Sequence, residues 1–269
     1  MTAPITVAVG AATDTGRRRA INEDALLASA PVFLVADGMG GHDAGEVASR
    51  MAVAAFADLV GRDHLTVDEV REAVEAARRR IDAFSSSRET GAGTTLSGVV
   101  IVDVRGAGYW LALNIGDSRT YRLAGDRLEQ ISVDHSLVQE LVDSGRLAEA
   151  DAEHDPRRNV ITRALGAGSS ERVDFWMLPA SRGDRLLICS DGLPREVGRD
   201  QIAAILSAED DPQTAASRLV EAAVARGGRD NVSVIVVDAV HVAWHDGDTG
   251  TRDIDADTRP REPVGGRRA

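Results

Sequence analysis

Lysine is absent from all 269 residues, so every cationic side chain other than histidine is an arginine. That absence excludes a phosphate-binding loop ending in Gly-Lys, a lysine Schiff base and a kinase-type catalytic lysine. The one cysteine, Cys189, leaves no internal disulfide and no cysteine zinc cluster. It sits inside an apolar run and reads as an inert core residue. The six histidines never take the H-E-x-x-H spacing, and no G-x-S-x-G elbow occurs. No apolar run approaches the length that crosses a bilayer, and no charged amino-terminal region leads into a long apolar stretch. A formal net charge of -12 leaves no basic stripe for nucleic acid. These exclusions together predict a soluble, cytoplasmic protein with neither nucleic-acid nor membrane partners.

The chain is long enough for one large domain, expected over residues 1–243. Beyond Trp244 the composition turns to Asp, Gly, Thr, Arg and Pro, which predicts a disordered tail over 244–269. Strands are expected at Ile5 to Ala11, Ala25 to Ala28, Phe33 to Ala36, Leu96 to Val104, Tyr109 to Ile115, Thr120 to Leu123 and Arg127 to Ile131. Three more are expected at Val173 to Leu178, Arg185 to Ser190 and Val232 to Val240. Helical spacing runs from Ala44 to Leu59, and a second helix starts at the capping-box pair Thr66 and Glu69. Ser136 and Gln139 cap a short helix, and two more run from Arg199 to Leu206 and Pro212 to Arg226, the latter between Asp211 and Gly227. Hairpins of strands beside paired helices imply an α+β layered sandwich.

The informative feature is where acidic residues fall. Phe33-Leu34-Val35-Ala36-Asp37 is an apolar run that ends in a carboxylate and a glycine cluster, read as a strand delivering Asp37 to a sharp turn. Asp117, Asp191 and Asp230 also lie at ends of strand-like runs. One Asp-Gly is an ordinary turn pair. Four carboxylates at rigid strand ends are what a hard divalent cation takes as ligands, and Asp37 is expected at the centre of such a site.

Laid out in order, the motifs are Arg19-x-x-Asn22-Glu23-Asp24, Asp37-Gly38-Met39-Gly40-Gly41-His42 and Gly93-Thr94-Thr95. Gly116-Asp117-Ser118-Arg119, Ser190-Asp191-Gly192 and Asp230-Asn231 follow. This series resembles the PPM (type 2C) metal-dependent serine/threonine protein phosphatases of the bacterial type. The resemblance implies a four-layer α-β-β-α sandwich whose two central antiparallel sheets are flanked by helix pairs. It implies two Mn or Mg ions, with Asp37 bridging them, Asp191 and Asp230 completing one, and the Gly38 carbonyl on the other. Glu23 would act through water, Asp24 and Asn231 would support these ligands, and Asp117 would hold a weaker third ion. Arg19 would grip the substrate phosphate, and residues 134–168 would form a mobile flap.

The implied reaction is hydrolysis of phosphoserine and phosphothreonine on proteins by direct attack of a metal-bridging hydroxide, reversing cytoplasmic kinases, with the chain a monomer. Two other readings fit the same motifs: a catalytically weak phosphoprotein-binding regulator, and a small-phosphoester hydrolase. Met39 stands where many eukaryotic members carry a histidine proposed as leaving-group acid. Since methionine has no proton to give and His42 lies beyond the turn, water is the expected donor. Pro194, after Asp191-Gly192-Leu193, departs from the usual pattern. Within Arg17-Arg18-Arg19, alternation along an extended run would set Arg18 on the face opposite Arg17 and Arg19.

Overall fold

The computed structural model describes residues 3–243 except 41–42, 64, 89–90, 126, 153–154 and 169–171. The expected tail and His42 lie outside the described residues. In chain order the strands are β1 (Ile5–Asp14), β2 (Asp24–Ser29), β3 (Val32–Gly40), β4 (Ala92–Thr94), β5 (Leu96–Val104) and β6 (Ala107–Ile115). They continue with β7 (Arg119–Ala124), β8 (Arg127–Gln130), β9 (Asp174–Pro179), β10 (Arg185–Cys189) and β11 (Val232–Val242). The helices are α1 (Ala44–Ala54), α2 (Val67–Ser86), α3 (Leu137–Asp143), α4 (Glu149–Ala152), α5 (Gly192–Glu196), α6 (Arg199–Ala208) and α7 (Pro212–Arg226).

Side-chain alternation along these strands decides the layers, because successive residues face opposite sides of a sheet. Val32 and Leu34 of β3 pack with Ala48, Phe56, Val74 and Ile81 under α1 and α2. Phe33 and Val35, one residue out of step, join Val99, Trp110, Leu186, Ile188, Ile235 and Val237 in a second apolar layer. Leu187, Cys189, Val234 and Val236 complete a third, beneath α6 and α7. The middle layer is thus shared by two antiparallel sheets, one ordered β1-β11-β10-β7-β8 and the other β2-β3-β5-β6-β9, with β4 on β3. The result is the four-layer α-β-β-α sandwich.

Local chemistry sets several boundaries. Thr66 accepts from the Glu69 amide at 3.3 Å, and Glu69 accepts from the Thr66 amide at 2.8 Å, so both ends of the capping box are made. Asp211 caps α7 by accepting from the Thr214 amide at 2.8 Å, and Pro212 opens the helix. Cys189 is fully buried and its thiol is pushed up to about 12 by that burial, as an inert core residue should be.

Three expectations need correction. The first helix ends at Ala54, and Ala57–Leu59 is a separate 3-10 turn. The glycine cluster after Asp37 is not a turn at its start: β3 runs through Gly38 and Met39 to Gly40, pairing with β4 instead of β5. A Cβ at Gly38 would lie 2.1 Å from the Gly45 carbonyl oxygen, so the glycine is there for close approach to α1. Finally, residues 16–18 form a turn, so the extended alternation expected of the arginine run does not exist.

Removing a ring shared by both sheets should cost far more than removing one exposed cap. Phe33→Ala is expected to lose about 3–5 kcal/mol, and Thr66→Ala about 1 kcal/mol. Urea unfolding of the two variants checks this; equal losses would contradict the shared middle layer.

Candidate metal centre

The carboxylates gather at one end of the sandwich, where strands from both sheets stop. Asp24 and Asp37 are direct partners in the β2–β3 ladder, so two acids face each other across neighbouring strands. Like charges so placed repel and destabilise a sheet unless something neutralises them. Asp191 follows β10 and stands at the start of α5. Asp117 follows β6 and is 5 % exposed, and Asp230 precedes β11.

Backbone bonds fix these ends. The Asp37 amide donates to Thr95 Oγ1 at 2.9 Å, and the Asp37 carbonyl accepts from the Thr95 amide at 2.9 Å and from Thr94 Oγ1 at 3.0 Å. That gives the Gly93-Thr94-Thr95 motif a physical role. Gly192 packs so closely on Asn231 that a Cβ would come within 2.0 Å of its carbonyl oxygen. Asn231 in turn accepts from the Glu23 amide at 2.9 Å and donates to the Thr15 and Ile21 carbonyls at 2.9 and 3.0 Å. One buried amide thus ties the Asp230 turn to the Glu23 loop. Asp24 Oδ2 accepts from Ser190 Oγ at 2.8 Å.

Electrostatics show the cost of the arrangement. Burial, reinforced by Asp24, Asp191, Asp117 and Asp230, holds the Asp37 carboxyl well above the ordinary carboxylate range. Burial and then Asp117 do the same to Asp191. Asp24 is pushed up to about 6 by burial, against hydrogen bonds from Ser233 and Ser190. Asp117 and Glu23 are also raised, chiefly by burial. Groups in this condition bind either protons or cations.

Two guanidinium groups supply part of the compensation. Arg19 chelates Asp230 through Nε at 2.8 Å and Nη2 at 3.0 Å, and stands 4.0 Å from Glu23. Arg195 bonds Asp191 and Asp230, the latter at 3.0 Å, and comes within 3.6 Å of Asp117. Among the described residues no three acidic, histidine or cysteine side chains already converge as a preformed cage. Buried oxygens are nevertheless left without any hydrogen-bond partner: Glu23 Oε1, Asp24 Oδ1, Asp117 Oδ1 and Asp191 Oδ1. Unsatisfied buried carboxylate oxygens are costly, and an oxygen-only donor set fits Mn or Mg.

A groove of about 480 Å³ opens over this cluster, lined by Arg19, Glu23, Asp37, Gly38, Met39, Arg158, Asn159, Asp191, Arg195 and Asp230. The sequence-predicted residues Arg19, Glu23, Asp37, Gly38, Asp191 and Asp230 are therefore brought together. Asp24, Asn231 and Asp117 lie beside them, with Asp117 facing an adjoining cavity. Sequence reasoning missed Arg195, Arg158 and Asn159. Arg195 carried a readable signal, since an arginine four residues after Asp191 lands over it once a helix begins there. The 134–168 excursion is pinned at both ends, where Arg119 clasps Asp134 at 2.6–3.0 Å and Leu165 exchanges backbone bonds with Thr94. No helix among the described residues is long and apolar enough to cross a membrane.

Comparison with known proteins agrees with this geometry. The family profile described as Protein phosphatase 2C matches residues 14–223. The serine/threonine phosphatase stp of Listeria welshimeri is 36% identical over 239 residues, covering 84% of this chain and 93% of that protein. The serine/threonine protein phosphatase PstP of Mycobacterium tuberculosis is 42% identical over 238 residues, 86% of this chain but 44% of PstP. The crystal structure of M. tuberculosis PstP superposes with a TM-score of 0.80 at 39% identity, over 87% of this chain and 99% of that one. The PstP catalytic domain in complex with two manganese ions gives 0.78 at 38% identity, with the same coverage. With the motifs, the layered sheets and a profile match over most of its length, this chain belongs to the protein phosphatase 2C, or PPM, family.

Proposed function

We propose that this chain hydrolyses phosphoserine and phosphothreonine esters on proteins, acting as a cytoplasmic monomer that opposes serine/threonine kinases. The observation that carries the proposal is the pairing of Asp24 with Asp37, crowded by Asp191, over buried oxygens that no hydrogen bond satisfies. The family's other serine/threonine phosphatases support the substrate class. Two Mn or Mg ions on Asp37, Asp191, Asp230 and the Gly38 carbonyl, with Glu23 acting through water, would neutralise this charge and supply an activated water.

The chain's own residues then have distinct work. Arg19 is half exposed beside the groove and pairs with Asp230, so it can exchange that carboxylate for a substrate phosphate of the same sign. Ser190 holds the Asp24 carboxylate in the cluster, and Asn231 fixes the Glu23 backbone beside it. Met39 lines the groove without a titratable proton, which leaves water to protonate the departing serine or threonine oxygen. On this reading residues 1–243 are the catalytic domain and 134–168 its flap, with Arg158 and Asn159 reaching over the groove. The third, weaker ion expected at Asp117 would have to share that carboxylate with Arg195.

Phosphate release from phosphothreonine, phosphoserine and phosphotyrosine peptides tests the proposal. Turnover of the first two with Mn or Mg, and none in EDTA, is expected. Full activity in EDTA would sink the metal mechanism, and a preference for small phosphoesters would move the substrate class.

Arg19→Ala should lose a charge-assisted bond to bound phosphate, about 1.5–3 kcal/mol or roughly ten- to a hundredfold in kcat/KM. Arg17→Ala and Arg18→Ala, both exposed, should stay near wild type. Equal losses in the three would withdraw Arg19 from the site.

Asp37→Asn removes the acid most burdened by neighbours while keeping its shape. It should abolish turnover yet raise Tm in EDTA, by about 2–4 °C for each kcal/mol of repulsion relieved. A lower Tm in EDTA would mean that Asp37 is not under electrostatic strain.

A further inference from the structure

Of the two guanidinium groups in the cluster, Arg195 is the more enclosed. Asp191 precedes α5, and the Arg195 amide donates to the Asp191 carbonyl at 3.1 Å, one helical turn on. Residues four apart share a helix face, and an acid preceding a base at this spacing is the favourable order. Pro194, inside the first turn of α5, has a backbone already suited to helix and no amide to leave unpaired. The side chain of Arg195 is therefore returned over Asp191, and only 26% of it remains exposed.

Its contacts come from three separate motifs. Nη1 lies 3.0 Å from Asp230, which precedes β11. Nη2 bonds Asp191 Oδ2 and is also 3.6 Å from Asp117 Oδ2. A single nitrogen thus reaches both Asp191 and Asp117, the latter being the carboxylate expected to hold a third ion. A divalent cation binds carboxylate oxygens at about 2.0–2.6 Å. An ion bridging these oxygens would fall in the space Nη2 fills, and would meet a like charge there at a few ångströms. By contrast Asp191 Oδ1 carries no hydrogen bond, so the guanidinium leaves Asp191 an oxygen for an ion shared with Asp37.

We propose that Arg195 is a resident cation of this centre, taking with Asp117 and Asp191 the place of a third divalent ion and limiting the chain to two. This rests on the two-ion reading above. An ordinary surface ion pair would not gather three acids from three motifs at the edge of a catalytic groove. Arg195 also lines both the groove and the adjoining cavity over Asp117. Unlike a weakly held ion, a tethered guanidinium does not wash out, so activity would not depend on filling a low-affinity site.

Counting bound Mn decides the matter without reference to turnover. Protein stripped with EDTA is dialysed to equilibrium against rising Mn, and metal per chain is measured by plasma mass spectrometry. Wild type and Arg195→Lys should saturate at two equivalents. Arg195→Ala and Arg195→Gln should take up a third, weaker equivalent, and adding Asp117→Asn to either should return the count to two. Gln keeps the start of the aliphatic stem and a neutral hydrogen-bonding end, so it covers the case in which Ala fails to fold. Three equivalents in wild type, or only two in both neutral variants, would overturn the role of Arg195 while leaving the two-ion centre standing. Fewer than two in wild type would overturn the two-ion reading itself and this inference with it.

Discussion

Asp24 opposite Asp37 is the constraint on which the rest of the structure depends. Adjacent strands place these acids side by side, and Asp191, Asp117 and Asp230 add their charges from the ends of other strands. No arrangement of apolar side chains relieves such a cluster, because a buried ionised carboxylate needs a proton, a cation or several donors. The sandwich supplies rigidity from its shared middle layer, and Thr94, Thr95 and Asn231 tie the strand ends to one another. The strain is thereby held at the site rather than dispersed by movement of loops, which is the usual relation between a strained site and its scaffold.

Arginine is the only strong cation the sequence offers, and the site uses it twice. Arg19 and Arg195 both reach Asp230, from widely separated segments of the chain. A planar guanidinium holds two carboxylate oxygens in a fixed geometry, which a lysine does not. The same chemistry appears at the start of the 134–168 excursion, where Arg119 clasps Asp134, and on β10, where Arg185 joins Asp238 to the carbonyls at the end of α6. Charge pairing therefore organises the periphery much as alternation organises the core.

Much of this was legible in the sequence because it depends on short-range patterns. The Thr66–Glu69 cap, the Asp211-Pro212 start and Gly227 end of α7, and the alternation of β3, β10 and β11 need no tertiary information. Asp37, Asp117, Asp191 and Asp230 were legible because each lies at one end of an apolar run. What escaped was set by contacts distant in sequence. Gly38 looks like a turn former, yet it lies in a strand where close backbone approach leaves no room for a Cβ. β4 and α5 are too short to show a period. Arg195 acquires its place only once α5 exists, so its contacts with Asp230 and Asp117 could not be read from spacing alone. The turn at 16–18 defeated the alternation argument, and it is the contact with Asp230 that marks out Arg19 within its run.

The central claim is that the buried carboxylates burden the fold until cations neutralise them. Burial and mutual repulsion raise Asp37, Asp191 and Asp24 above the unfolded value of 3.8, Asp24 to about 6. Folded, metal-free protein thus holds protons more tightly than the unfolded chain, so its stability falls as pH rises from about 4 through 6 and beyond. Glu69, Asp155 and Asp211 are shifted down, so their contribution falls away as pH drops through the acid end of that range, alike with and without Mn. Added Mn binds the ionised folded form, so its stabilisation should grow over the same range. The direct measurement is the difference in Tm between Mn-loaded and EDTA-treated protein from pH 4 to pH 8. The account predicts a difference near zero at the acid end that widens steadily with pH; a difference independent of pH, or no effect of Mn at any pH, would contradict it.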